Sequence, residues 1–181
     1  LSSAASDVYK RQIPFPVAFL SPSGEEMPVQ LASEDEAPLP GTRMFELTQE
    51  HTELVFGGLA VKPAVSLNRG FAAPVILDQG LSDEELAFLA RHETDPFNRW
   101  DAMNRLLINA VHTQTRAKLL RTPEEVSPLV ITAALEVLKN PDLSPAFKAA
   151  ALSLPSEKLV AEEDPLIDPC LLYTSDAADD K

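Results

Sequence analysis

The chain has 181 residues, 45% of them hydrophobic, and a formal net charge of −13 at pH 7. Such an acidic chain is unsuited to nucleic acid or an anionic membrane surface, because both require a basic binding face. Its single cysteine excludes an intramolecular disulfide, which favours a reducing compartment and hence a cytoplasmic location. The sequence contains no apolar run of the length that a membrane-spanning helix needs.

The two ends of the chain carry related sequence. One stretch of DNA can encode residues 2–12 in one orientation and Cys170–Asp179 in the other, with a shift of one base between the frames. The alternative is that the chain has a natural disordered N terminus and a natural acidic tail. In that case the match between the two ends over ten codons would be a coincidence, which makes this alternative improbable. We therefore interpret residues 1–12 and 170–181 as translated sequencing-adapter DNA, and expect them to be disordered and to pack on nothing.

Residues 13–79 predict a small antiparallel β-sandwich of immunoglobulin-like type, because short apolar runs alternate with turn residues. The first two strands should form a hairpin through Ser21–Gly24, and the third and fourth should form another. Pro28 places its strand at an edge or a bulge, since proline cannot donate a ladder hydrogen bond. The six expected strands are Ile13–Leu20, Met27–Leu31, Thr42–Thr48, Thr52–Phe56, Ala64–Leu67 and Ala73–Leu77.

The hydrophobic period changes at Ser82, where a helical segment covering residues 80–169 begins. Ser82 is a suitable N-cap and Glu85 completes a capping box, so a helix is predicted from about Asp83 to His92. This helix should bury Leu86, Leu89 and Ala90.

Further helix starts follow the same chemistry. Asp95 and Pro96 should open a helix that ends near Arg116, with Trp100 in the core. Its apolar stripe comprises Phe97, Trp100, Met103, Leu107 and Val111. Later helix starts are predicted at Thr122, Ser127–Pro128, Ser144–Pro145 and Ser156. The helix from Ser127–Pro128 should have the apolar stripe Leu129, Ala133, Val137 and Leu138, and the helix from Ser144–Pro145 should end at about Leu152. These short helices indicate the start of an incomplete α-helical array, so the fold class is α+β.

No motif in the chain predicts chemistry. His92-Glu93 begins like the zinc motif H-E-x-x-H, but Pro96 stands where the second histidine is required. We expect this pair to end a helix, with a His92 imidazolium favoured by the helix dipole. His51 should be a surface residue, a ligand role for His112 is disfavoured, and Asp101 with Arg105 should form a surface pair. We therefore predict no catalytic, cofactor-binding or metal-binding residue.

Several segments carry a resemblance to a known family. They are IPFPVAFLSPSGEEMP, ELTQEHTELVFGGL, KPAVSLNRGFAAPVIL, LSDEELAFLARHETDPFNRWDA and LPSEKLVAEEDPLIDP. Through them the chain resembles the bacterial alanyl aminopeptidase N family of zinc metallopeptidases. The resemblance implies a β-sandwich followed by the first helices of a C-terminal helical domain. It also implies that the zinc ligands, the general base and the residues that recognise the peptide amine lie in a catalytic domain outside this chain.

Two functional hypotheses result. The first is a non-catalytic fragment of a zinc-dependent aminopeptidase N, whose partners would be peptide substrates and the missing catalytic and C-terminal helical domains. It would supply the β-sandwich spacer and part of the helical wall of the active-site chamber. In that case the stripes of Leu129–Leu138 and Ala146–Leu154 should lack neighbours that cover them. The alternative is a self-standing protein-interaction module made of a β-sandwich and a helical array.

Overall fold

The computed structural model describes residues 12–35, 41–122, 125–156 and 158–160. The chain divides into two compact units, Leu1–Leu77 and Asp78–Lys181, here called the strand unit and the helical unit. An antiparallel sheet in the first and helices in the second confirm the α+β class. The disorder predicted for the ends concerns residues outside this description, apart from Gln12, which is exposed and without regular structure.

The strand unit is built around its first strand. The strands are β1 (Ile13–Leu20), β2 (Glu26–Met27), β3 (Arg43–Leu47) and β4 (Ala64–Leu67). All three later strands pair antiparallel with β1. Because β4 pairs with β1 residues that also pair with β2 and β3, it occupies one edge of β1 while β2 and β3 share the other.

Aromatic side chains fill the core of the strand unit. Phe19 and Phe45 are buried together with Val17 and Val29. The ring of Phe56 meets Phe19 edge-on at 4.8 Å between centroids, and meets Phe45 at 5.9 Å. Edge-to-face pairs at such distances add to the free energy gained by burying the rings.

The first predicted hairpin is confirmed, although its second strand is shorter than expected. Phe19 lies opposite Met27, and the turn is closed by the Gly24 N–H donating to the Ser21 carbonyl at 2.8 Å. The strand ends at Met27 because the next residue, Pro28, has no N–H to continue the ladder.

The second predicted hairpin is wrong. Arg43–Leu47 pairs with β1, where Phe45 lies opposite Phe15, and not with Thr52–Phe56. The latter segment makes an isolated bridge from Phe56 to Leu31 instead. A buried central strand with an aromatic cross-strand partner outweighs the nearest neighbour in sequence.

The strand predicted at Ala73–Leu77 is also absent, and Ile76 is fully exposed. The side chain of Asn68 takes both backbone hydrogen-bonding groups of Ala73, at 2.8 and 3.0 Å. Pro74 offers no N–H, so the start of this segment has no free backbone donor for a ladder.

The helical unit contains α1 (Asp83–His92), α2 (Pro96–Leu120), α3 (Pro128–Lys139) and α4 (Pro145–Ala151). Each start has the predicted cap: Ser82, Asp95, Ser127 and Ser144 all accept a backbone N–H, and Pro is the first residue of α2, α3 and α4. The Ser82–Glu85 capping box has both of its bonds. Residues 158–160 add a helical turn that Ser156 caps.

Two helix boundaries differ from the prediction. Glu125 and Val126 are not helical, so the start predicted at Thr122 is wrong, whereas the one predicted at Ser127–Pro128 is confirmed; residues 123–124 lie outside the description. α2 continues to Leu120, where Arg121 adopts left-handed backbone angles and its N–H bonds to Ala117 and Lys118.

The apolar stripes are confirmed in part. Leu86, Leu89, Ala90, Met103, Leu107, Ala133 and Val137 are buried as expected. Phe97 and Leu138 are exposed, and Trp100, Val111 and Leu129 are only half-buried, which corrects five positions. In α2 the buried face of the first half is centred on Leu106, so Phe97 and Trp100 lie on its flank, where their rings contact each other. No helix among the described residues is long and apolar enough to cross a bilayer.

Candidate functional site

The three histidines lie in three different settings. His51 is exposed, as predicted. His92 is the last residue of α1, and its ring stacks beside Phe88 at 4.6 Å. The Nε2 atom of His112 is 3.0 Å from the carbonyl oxygen of Val160. Within the described ranges, no three His, Cys, Asp or Glu residues are grouped closely enough to hold a metal ion.

A polar cluster of the helical unit lies between α1 and α2, and we call it the polar joint (Arg91, His92, Glu93, Asp95 and Arg99). Glu93 is fully buried, and its Oε1 atom accepts the Asp95 N–H at 2.9 Å. Asp95 in turn accepts the N–H of Asn98 at 2.9 Å, which caps α2. The two helices are therefore connected by a turn whose backbone N–H groups are held by carboxylates.

Arg99 closes the polar joint from the other side. Its Nη2 atom donates to the carbonyl of Arg91 at 3.2 Å, which satisfies one of the open carbonyls at the end of α1. Burial lowers the pKa of the Arg99 guanidinium, and the charges of Glu93 and Asp142 act in the opposite direction. Arg99 thus brings a positive charge toward the buried Glu93 carboxylate, as a buried charge requires.

Arg91 connects the polar joint to α3. Its Nε atom lies 3.0 Å from the Ala87 carbonyl and 3.7 Å from Oε2 of Glu136. The pKa of His92 is lowered, first by burial and then by the charge of Arg91, with Glu136 opposing. Desolvation and the neighbouring cation thus oppose the imidazolium that the helix dipole would favour at this helix end.

Chemically, the polar joint is suited to fixing the geometry between helices and not to proton transfer. Its carboxylates accept backbone N–H groups and its guanidinium groups donate to carbonyls. In the sequence, Glu93 stands out only as part of the failed zinc motif, which gives no sign of its burial. The available signal was the short connection Glu93–Asp95 between two predicted helices, flanked by Arg91 and Arg99.

The strand unit has its own anchored segment, the loop from Asn68 to Ala73. Asn68 and Phe71 have positive φ angles of 53° and 50°, which non-glycine residues rarely adopt. Buried Arg69 holds the loop by donating to Glu26 and to Thr42, both at 2.8 Å. The side chain of Phe71 is about half exposed. Because Arg69 is buried and hydrogen-bonded, its polar contacts stabilise the strained backbone of this loop.

The predicted surface pair of the helical unit is present. Arg105 Nη1 lies 3.9 Å from Oδ2 of Asp101, one helical turn away on α2. Such a partly exposed pair contributes little to stability, as surface ion pairs usually do. In the strand unit, Arg43 binds Glu34 through both terminal guanidinium nitrogens, and this pair lowers the pKa of Glu34.

Two family models match the chain. One is described as a domain of unknown function (DUF3458) with an Ig-like fold and matches residues 3–80. The other, described as a domain of unknown function (DUF3458_C) with ARM repeats, matches residues 83–178. The matched ranges include residues 3–12 and 170–178, for which back-translation of the sequence predicts an origin in adapter DNA. The adapter origin of these residues stays a prediction.

Similar proteins are found among curated sequences and solved structures. Aminopeptidase N of Escherichia coli is 31% identical over 157 residues, which are 87% of this chain and 18% of that protein. Aminopeptidase N of Caulobacter vibrioides is 30% identical over 81% of this chain and 17% of its own length. The crystal structure of Legionella pneumophila aminopeptidase A in complex with aspartic acid has a TM-score of 0.70 at 23% identity, over 93% of this chain and 18% of that one. The chain thus spans less than a fifth of these relatives.

Proposed function

The chain belongs to the aminopeptidase N family, and we propose that it is a non-catalytic segment of a zinc-dependent member that releases N-terminal amino acids from peptides. In this proposal the strand unit is the spacer of the parent enzyme. The helical unit forms part of the wall of its active-site chamber. The function of the segment is then to shape the route of peptides, while bond cleavage takes place elsewhere in the polypeptide.

One observation carries the proposal. The match to E. coli aminopeptidase N takes in 87% of this chain but 18% of the relative. An Ig-like part followed by an ARM-repeat part is also the order of the two family models. A segment of this kind fits inside a larger enzyme better than it fits a complete module.

The described residues of the chain do not fit a zinc centre. A zinc site needs three or four nitrogen, sulfur or carboxylate ligands directed at one point. His92 lies against Phe88 and near the cations Arg91 and Arg99, and His112 is engaged with the Val160 carbonyl. The metal of the parent would therefore be held by residues outside the described ranges of this chain.

The charge of the chain supports a role in the chamber wall. The net charge of −13 would favour the approach of peptides whose free amino termini are protonated. The polar joint would keep α1 and α2 at a fixed geometry, which a wall that borders a chamber requires.

A chimera tests the proposal. The segment of E. coli aminopeptidase N that matches this chain is replaced by residues 13–160, and hydrolysis of an alanine anilide is measured. We expect the chimera to hydrolyse the anilide, and the isolated chain to show no turnover with or without added zinc. A chimera without activity would contradict the proposal, and so would zinc-dependent turnover by the isolated chain.

The genomic DNA provides a second test. We expect the open reading frame upstream of the codon for Ile13 to encode an H-E-x-x-H motif. An upstream frame without that motif would favour the self-standing interaction module instead.

A further inference from the structure

α3 is apolar on two faces. Val130, Ala133 and Val137 are buried, and they lie on the side of α3 that packs within the helical unit. The charged residues Glu136 and Lys139 occupy only a narrow strip of the helix. A helix with apolar residues around most of its circumference is typical of an inner element that is covered on both sides.

The second face of α3 is the exposed stripe, which we define as Ile131, Leu135 and Leu138. These side chains are 50%, 45% and 54% exposed. Their spacing of four and then three residues aligns them along one side of the helix. Among the described helices, the other large exposed apolar residues lie at the ends of α2, so α3 alone exposes such a stripe along its length.

We propose that the exposed stripe is the surface on which another amphipathic helix packs. This helix would belong to the helical array that continues in the parent polypeptide. This inference rests on the proposed function. The matched family model is described as ARM repeats, and in such arrays each repeat covers the apolar face of its neighbour. The E. coli relative is matched over only 18% of its length, so further chain is available to supply that helix.

A second copy of the chain is a poorer occupant. Two copies would each carry a net charge of −13, and like charges of this size oppose association. An amphipathic helix of the same polypeptide has no such obstacle, because its connection to α4 raises its local concentration.

The test uses as its probe the part of E. coli aminopeptidase N that follows the region matched by this chain, produced as a separate polypeptide. Binding to the full chain is measured by calorimetry for the unaltered protein and for I131Q/L135Q/L138Q. Glutamine keeps the helix propensity and approximate size of leucine, so α3 should stay folded. We expect the substitutions to weaken binding roughly a hundredfold or more, since three apolar side chains lose their burial.

The matched control is L119Q/L120Q/L154Q, which alters three exposed leucines away from the stripe. We expect this variant to bind like the unaltered chain. Circular dichroism verifies that both variants keep their helices. Equal binding by the stripe variant, or no binding by the unaltered chain, would overturn the proposal.

Two further outcomes separate this inference from others. Self-association of the chain that the stripe substitutions abolish, measured by sedimentation, would make a second copy the occupant and overturn the proposal. An active chimera together with unchanged binding by the stripe variant would refute the docking site while leaving the proposed function standing.

Discussion

The strand unit depends on one segment, whereas the helical unit is assembled from successive ones. In the strand unit, β2, β3 and β4 all pair with β1, and β4 lies some 45 residues further along the chain. In the helical unit, α1 contacts α2, and α3 and α4 pack onto them in turn. Removing one part should therefore have different consequences in the two units.

The difference follows from how contacts are distributed along the chain. Non-local strand pairs require the closure of long loops before they stabilise anything, so the strand unit should fold as a whole. Helices that carry their own caps and contact sequence neighbours can gain or lose stability piece by piece. Each prediction below tests one side of this contrast, starting with the largest expected effect.

Phe19→Ala should have the largest effect. Phe19 is buried in β1 and its ring contacts Phe56, so its loss leaves a cavity in the centre of the sheet. We expect the free energy of unfolding of the strand unit to fall by about 3–5 kcal/mol. Hydrogen exchange of the β1 and β4 amides measures the change. Ile76→Ala, at a fully exposed position, is the control and should change exchange little. Loss of protection in β1 with β4 unaffected would contradict the dependence of this unit on one strand.

Glu93→Ala should come next. It removes the acceptor of the Asp95 N–H and the carboxylate that faces Arg99 in a buried setting. We expect a loss of roughly 1–3 kcal/mol in the helical unit, as for other buried hydrogen-bonding groups left without their partner. Fluorescence of Trp100, the only tryptophan, reports unfolding of this unit.

Two variants sharpen the result for Glu93. Glu93→Gln keeps an acceptor for Asp95 and should lose less stability than Glu93→Ala. Glu125→Ala alters an exposed glutamate of the helical unit and should have almost no effect. Equal losses for the Gln and Ala variants would assign the effect to the charge and not to the hydrogen bond.

Ser82→Ala tests a local cap. Ser82 accepts the Glu85 N–H and donates its own N–H to the Glu85 carboxylate. We expect a loss of about 1 kcal/mol in the helical unit, seen as a lower denaturant midpoint of Trp100 fluorescence. Ser82→Asp supplies another good N-cap and should restore most of the stability. An unchanged midpoint for Ser82→Ala would show that packing, and not the cap, sets this helix start.

A pH dependence from His92 should be the smallest effect. Its pKa is lowered in the folded state by burial and by Arg91, so the unfolded state binds a proton first as the pH falls. The contribution is complete above the unfolded pKa of about 6.5, and is lost as the pH falls from there toward the folded pKa. We expect the helical unit to lose less stability over this range in His92→Gln than in the unaltered chain. The same pH slope in both would rule out His92 as its source.

The sequence predicted the helical unit better than the strand unit because a helix start is determined by residues close to it in the sequence. Ser82, Asp95, Ser127 and Ser144 cap helices at the predicted positions, and each needs only residues within three positions of itself. The end of α2 was missed because Arg121 takes the left-handed conformation, for which glycine is the usual signal.

Strand pairing could not be predicted in the same way. The residues of Thr42–Thr48 and Thr52–Phe56 have suitable alternation for a hairpin, but β1 offers Arg43–Leu47 a buried partner from far away in the sequence. The polar joint was likewise hidden, since the burial of Glu93 arises only when α1 and α2 pack together. Local patterns therefore predict where helices start, whereas tertiary packing decides which apolar segments become paired strands.

The central position of β1 has a consequence for synthesis of the protein. Residues 16–20 are all buried in the folded sheet, so this segment is prone to aggregate as a β-strand for as long as it is unpaired. This segment leaves the ribosome before β3 and β4 exist to cover it. Pro14, just before this segment, and Pro16, its first residue, cannot donate to a growing cross-β ladder, so they oppose aggregation until β3 and β4 are synthesised.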